Sequence, residues 1–93
     1  MKTKTIWRFD FPLSDKVIIT MPKGARICSC ALSDRMTHSI AAWAIVDLSE
    51  PEVRREINVR GTGHKFGDIG KYVSTVFDGP LVWHIFDAGE VPE

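Results

Sequence analysis

The residues best suited to chemistry in this chain gather between Arg60 and Lys71. Four of its seven glycines fall within Gly61-Thr62-Gly63-His64-Lys65-Phe66-Gly67-Asp68-Ile69-Gly70, with strand-like sequence on both sides. Successive backbone N–H groups in such a loop can converge into a nest for phosphate, and Arg60, His64, Lys65 and Lys71 can add positive charge around it. The chemistry implied is capture of a nucleotide-like anion. Arg60, Gly61, Thr62, Gly63, His64, Lys65 and, from a later segment, His84 are the ligand-binding candidates. The spacing Gly-x-Gly-x-x-x-Gly lacks the Lys-Ser/Thr ending of a P-loop, and no long amphipathic helix follows, so neither the P-loop nor the dinucleotide fingerprint applies. The competing reading is structural: a wide turn or bulge joining two strands, with His64 capping backbone groups.

The other reactive side chains carry weaker signals. His84 lies in Leu81-Val82-Trp83-His84-Ile85-Phe86, beside Val82 and Phe86 by alternation. A half-buried imidazole there needs a hydrogen-bond partner, either backbone or a carboxylate such as Asp47 or Asp87. Cys28 and Cys30, two apart in a strand-like segment, are expected on one face with Cα atoms about 6.5 Å apart, where a mutual disulfide is strained. Reduced thiols are the expectation. A zinc site would have to join these cysteines to His64 or His84, yet Cys-x-Cys is not the usual Cys-x₂₋₄-Cys spacing, so no metal is expected. There is no Gly-x-Ser-x-Gly elbow, and the aspartates mostly sit at turns or strand ends. The sequence therefore predicts no catalytic residue, no cofactor and no enzymatic activity.

These residues must be positioned by a small scaffold. Ninety-three residues make a single domain, 1–93, with segments 1–4 and 88–93 expected to be loose. Twelve basic residues balance twelve acidic ones, which removes the field that would hold extended nucleic acid or an anionic membrane. The longest strongly apolar stretch, Ile40 to Val46, is far shorter than the ~20 residues of a membrane-spanning helix. The charged start, Met1 to Thr5, leads into aromatic strand-like sequence in place of a secretion signal, so a cytoplasmic protein is expected.

Period-two alternation turns Trp7, Phe9 and Phe11 to one side of a first strand, for which core packing is the expected role. The β-branched run Val17-Ile18-Ile19-Thr20 follows. Met21-Pro22-Lys23-Gly24 reads as a type I turn, making residues 16 to 32 a hairpin. His38 to Leu48 is apolar on both faces, as in a central strand. Ser49-Glu50-Pro51-Glu52 has the form of a capping box and predicts one short helical turn. Arg54 to Arg60 alternates, with Arg55, Ile57 and Val59 on one side. Tyr72 to Phe77 and Leu81 to Asp87 form two arms about Asp78-Gly79, and Pro80 suggests that the second arm begins at an edge. The expected fold is all-β apart from that one turn: a small antiparallel β-sandwich or barrel of about seven short strands.

Several motifs carry a resemblance: Ile6-Trp7-Arg8-Phe9 followed by Pro12-Leu13, Met21-Pro22-Lys23-Gly24-Ala25, Trp43-Ala44-Ile45-Val46-Asp47, Gly61-Thr62-Gly63-His64, and Val82-Trp83-His84-Ile85-Phe86. Over nearly its whole length the chain resembles an uncharacterised family of small bacteriophage and prophage β proteins, grouped as a domain of unknown function. Cys28-Ser29-Cys30 and the segment from Ser33 to Ser39 do not look like motif elements. The resemblance implies expression in the cytoplasm of a bacterial host and action on host machinery by binding it or its signals. The resulting expectation is a non-enzymatic accessory protein that sequesters a small phosphorylated, nucleotide-type immune signal, with a homo-oligomer able to build the site across its interface. Two alternatives are a protein inhibitor docking on a host defence protein and a virion or assembly component.

Overall fold

The computed structural model describes residues 3–92, which form seven strands and, among the described residues, no helix. These are β1 (Lys4–Pro12), β2 (Lys16–Pro22), β3 (Arg26–Leu32), β4 (Ser39–Asp47), β5 (Glu52–Gly61), β6 (Lys71–Asp78) and β7 (Leu81–Glu90). They build two antiparallel sheets, in the orders β1-β4-β3 and β2-β5-β7-β6, packed face to face as a small sandwich.

Each sheet buries alternate residues. Phe11, Ile40, Ile27 and Val46 from the first meet Met21, Ile57, Val76 and Ile85 from the second. Strand β4 is apolar on both faces because it is central: its inner face joins this core, while Ala41 and Trp43 lie under the outer face beneath Arg8. The Arg8 guanidinium sits 5.5 Å from the Trp43 ring centroid and grips Asp10 through Nε and Nη2, both at 2.9 Å, with Asp34 at 2.6 Å. Of the Trp7, Phe9 and Phe11 row, Phe11 is fully buried and Phe9 packs on the core; Trp7, on the edge strand β1, stays 40% exposed.

Four expectations are corrected. Residues 16 to 32 are not a hairpin: β2 pairs with β5 and β3 with β4, so the Pro22–Ala25 connection is an arch between sheets. Its turn closes through Ala25 N donating to Pro22 O at 3.1 Å, with Gly24 at φ 78. That is the third position of the turn, where a type II geometry needs positive φ, one residue out of register with the type I reading. Ser49 to Glu52 forms no helical turn, because Asp47 Oδ1 takes the Ser49 amide at 2.9 Å and hydroxyl at 2.6 Å, and β5 starts at Glu52. Pro80 does not mark an edge: it lies in the hairpin turn, where no ladder bond needs its missing N–H, and β7 is interior.

The fourth correction concerns the cysteines. A bulge between Ile27 and Ser29 opposes an extra residue to β4 and resets the alternation. Cys28 therefore faces solvent while Cys30 is buried, and the two do not share a face. As for the loose ends, residues 1, 2 and 93 fall outside the described residues. Lys4 already opens β1, and Ala88–Glu90 extends β7, with the Val91 amide donating to Arg54 O at 2.9 Å.

Burial pushes the Cys30 thiol up to about 12, so it is both occluded and protonated. Under native conditions a thiol reagent should titrate one cysteine, Cys28, and reach the second only in denaturant; two fast thiols would contradict the bulge. The Arg8 hydrogen bonds hold the Asp10 carboxyl below its ordinary range, with Ser33 adding to the effect. A depressed carboxylate stabilises the fold above its unfolded pKa, about 3.9, and that contribution is lost as pH falls through the lower folded value. Asp10→Asn should lower the urea midpoint at pH 7, and the gap from wild type should narrow by pH 3.

Candidate functional site

The site is organised by one topological fact. Strand β7 pairs antiparallel with both β5 and β6, so β5 and β6 run parallel with β7 between them. Gly61 lies opposite Trp83, whereas Lys71 lies opposite Asp87. The connection must therefore travel back four residues along the sheet, roughly 13 Å, while passing over β7. Residues 62–70 make that crossing without a helix, as a strap along the outer face of the four-stranded sheet.

Three contacts pin the strap. Asn58, buried on β5, donates through Nδ2 to Ile69 O at 2.9 Å and to Glu56 Oε2 at 3.0 Å; the latter bond holds the Glu56 carboxyl below its ordinary range. Phe66 sets its ring edge-on to Phe86, with centroids 5.1 Å apart, and Tyr72 flanks Phe86 at 5.9 Å. Gly70, at φ 116, passes so close to β7 that a Cβ would stand 2.5 Å from Asp87 O. Glycine is obligatory there.

The predicted residues divide between strap and sheet. Thr62 N donates to Val82 O at 3.3 Å and His64 N to Gly61 O at 3.2 Å, so two of the amides a phosphate nest would use are engaged within the protein. The His64 ring lies over Gly61, 3.1 Å from where a Cβ would be, and is otherwise exposed, as are Gly63 and Lys65. Arg60 turns away toward β2, its Nη1 donating to Asp15 O and Val59 O at 2.8 Å each. A mostly apolar hollow of about 220 Å³ lies between Thr62, His64, Leu81 and Trp83.

His84 is the junction between strap and sheet. Its Nε2 is 2.7 Å from Thr62 Oγ1 and its Nδ1 is 3.0 Å from Thr75 Oγ1, which in turn is 2.6 Å from the Tyr72 hydroxyl. Both ring nitrogens are thus bound by hydroxyls, and not by backbone or a carboxylate as expected; Asp87 lies on the opposite face of β7, where it binds Arg55. The contacts join Tyr72, Thr75, His84 and Thr62 into one continuous hydrogen-bonded chain of hydroxyls and imidazole.

Sequence reasoning found the strap and His84 but missed Tyr72, Thr75 and Phe86. Simple alternation puts Tyr72 and Thr75 on opposite faces; a bulge between Tyr72 and Ser74 brings both to the outer face beside His84. Nothing in the residues around Val73 marks that bulge. Among the described residues no group of three or more His, Cys, Asp or Glu side chains is placed to hold a metal ion, and no helix is long and apolar enough to cross a membrane.

The outer face that results is a surface of exposed rings and hydroxyls. Tyr72 is 54% and Phe66 50% exposed, and Phe77, 70% exposed, continues the row toward the β6–β7 turn. Together they define a class: a seven-stranded antiparallel sandwich whose crossover strap presents an aromatic face threaded by a hydrogen-bonded imidazole. The chain belongs to the family described as Domain of unknown function (DUF7352), whose model matches residues 2–93. No curated protein and no solved structure matches it.

If the strap is a crossover, its glycines are not equivalent. Gly70→Ala should cost about 1–3 kcal/mol from its φ alone, and more from the clash with β7. Gly67→Ala, with open space around its Cβ position, should stay within about 0.5 kcal/mol of wild type. Urea denaturation of the two variants checks this, and equal losses would contradict the geometry.

Proposed function

We propose that this protein is a non-enzymatic binding protein whose ligand is a small phosphorylated molecule of nucleotide type, taken up on the outer face of the four-stranded sheet. The observation that supports it best is the pairing of two exposed rings with a polar chain: Phe66 and Tyr72, both set against the half-buried Phe86, beside Tyr72–Thr75–His84–Thr62. A planar base stacks on such rings at roughly 1–3 kcal/mol each, and the hydroxyls and imidazole offer donors and acceptors to its edge. The exposed Lys65 on the strap supplies charge for a phosphate, and the exposed His64 ring offers a hydrogen bond. This differs from an amide nest, since the amides of Thr62 and His64 are already bonded. In this reading the protein is a phage product of the bacterial cytoplasm that withholds a nucleotide signal from host defence, and a homo-oligomer would enlarge the face.

A second reading is favoured by Phe77, exposed on the same outer face near the turn end of the hairpin. An exposed apolar side chain contiguous with the Tyr72 row suits docking on a host defence protein.

The test is a thermal-shift titration with mono-, di- and cyclic nucleotides. A nucleotide at a hundred times its Kd stabilises by about 2.7 kcal/mol, which for a domain of this size is roughly 10–20 °C. Phe66→Ala and Tyr72→Ala should each weaken binding by about 5- to 100-fold. Saturable binding by no nucleotide overturns the first reading; the second then requires stoichiometric capture of one host protein that Phe77→Ala abolishes.

A further inference from the structure

We infer that β1 is a self-association edge, to which a second copy of this chain adds its own β1 antiparallel, joining the three-stranded sheets of the two copies into one continuous sheet. The sandwich closes where β3 and β6 meet along a seam, both strands bulged, with the Ser74 hydroxyl donating to Cys30 O at 3.3 Å. On the other side β1 and β2 are the outermost strands of their sheets. Of the two, β2 is the shorter and ends in Met21-Pro22, whereas β1 runs nine residues from Lys4 to Pro12 in unbroken register with β4, without glycine or internal proline. A flat edge of this kind is a ready template for another strand.

The ladder fixes which backbone groups face outward. Leu13 N donates to His38 O and Leu48 N to Thr3 O, both at 2.9 Å and both in the β1–β4 register, so the odd-numbered residues bond to β4. The N–H and C=O groups of Lys4, Ile6, Arg8 and Asp10 therefore point to the open side, and Pro12, which has no N–H, stands where β4 needs none. Charged side chains usually guard such an edge, but here they lean away from it. Arg8 lies over Trp43 of β4, and Asp10 accepts from Arg8 and from the Ser33 hydroxyl, the latter at 2.6 Å. At the rim, Ile6 is 61% and Trp7 40% exposed.

Charge selects the occupant and its register. With Trp7 on a two-fold axis, Lys4 stands opposite Asp10 of the second copy and Ile6 opposite Arg8 of the second copy, so all four open-side residues exchange backbone bonds. Moving the axis to Ile6 sets Lys4 against the second copy's Arg8, and moving it to Arg8 sets that residue against itself. Moving it to Phe9 sets Ile6 against Pro12, which cannot donate. Like charges directly opposite destabilise a strand pair and opposite charges stabilise it, so the Trp7-centred register is the one this sequence favours. It brings the two Trp7 residues together as a non-hydrogen-bonded pair, with Cα atoms about 4.5 Å apart and their exposed ring surface covered. Both β1 edges are then used, and association closes at a dimer.

The test is sedimentation of the full chain over a wide concentration range, which should show a monomer–dimer equilibrium and nothing larger. Ile6→Lys changes an exposed side chain and puts lysine opposite arginine twice per dimer; it should weaken association about tenfold, and Lys4→Glu, opposite Asp10, should weaken it in the same direction. Oxidative cross-linking reads the register in a Cys28→Ser background. Trp7→Cys should give a disulfide-linked dimer, whereas Thr5→Cys and Phe9→Cys, each roughly 13 Å from its own copy, should not. A monomer at every concentration, growth beyond the dimer, association unchanged in both charge variants, or cross-linking at position 5 or 9 in preference to 7 overturns the proposal. The edge belongs to the layer opposite the Phe66 and Tyr72 face, so this result is independent of the nucleotide reading.

Discussion

Strand β7 satisfies both of its edges, and this is what the rest of the molecule accommodates. By lying between β5 and β6 it makes those strands parallel, and parallel strands cannot be joined by a tight turn. The usual solution is a helix of a dozen or more residues. Here nine residues serve, and their brevity dictates their chemistry: Gly70 must graze the β7 backbone, Asn58 must anchor a carbonyl, and Phe66 must pack on Phe86. The strap's exposed ring and its contact with His84 follow from covering β7 at close range.

Bulges do the remaining placement. They occur at Cys28 in β3 and Val73 in β6, the two strands that meet at the seam, and between Glu56 and Ile57 where β5 faces β7. Each offsets the alternation by one residue. The result at β6 is a face that carries Tyr72 and Thr75 together, and at β3 a thiol inside and a thiol outside. The Arg55–Asp87 pair stands on inward-facing positions at one end of the core, its side chains 12% and 13% exposed. Such a pair is costly to desolvate and severe to break, so it fixes the relation of β5 to β7 more than it adds net stability.

Much of this was legible in the residues. Alternation in Trp7-Arg8-Phe9-Asp10-Phe11 and two-sided apolarity in His38 to Leu48 located β1 and β4, and Asp78-Gly79 located the hairpin, because strand period and turn chemistry are local properties. Pairing is not local. Nothing in Met21-Pro22-Lys23-Gly24 distinguishes a turn within a sheet from an arch between two, and the capping-box pattern at Ser49 lost to Asp47, whose carboxylate reaches the Ser49 amide first. For the candidate site, glycine density marked the segment that forms the strap. The aromatic face was hidden, because it depends on a bulge that adds no glycine and on Phe66 reaching Phe86 across 20 residues of chain.

The arch between β2 and β3 has a kinetic counterpart. Of the five strand pairings, only β3–β4 and β6–β7 join neighbours in sequence; β1 waits for β4, β2 for β5, and β5 for β7. On a ribosome, β2 and β5 would emerge as an unsupported two-stranded ribbon, and the four-stranded layer has no interior until β7 is made. High contact order of this kind places folding in the millisecond-to-second range typical of sandwiches. During that interval the apolar inner faces of β1 and β2 are open to other chains, which makes chaperone capture and crowded expression the conditions under which this small fold is most exposed to misassembly.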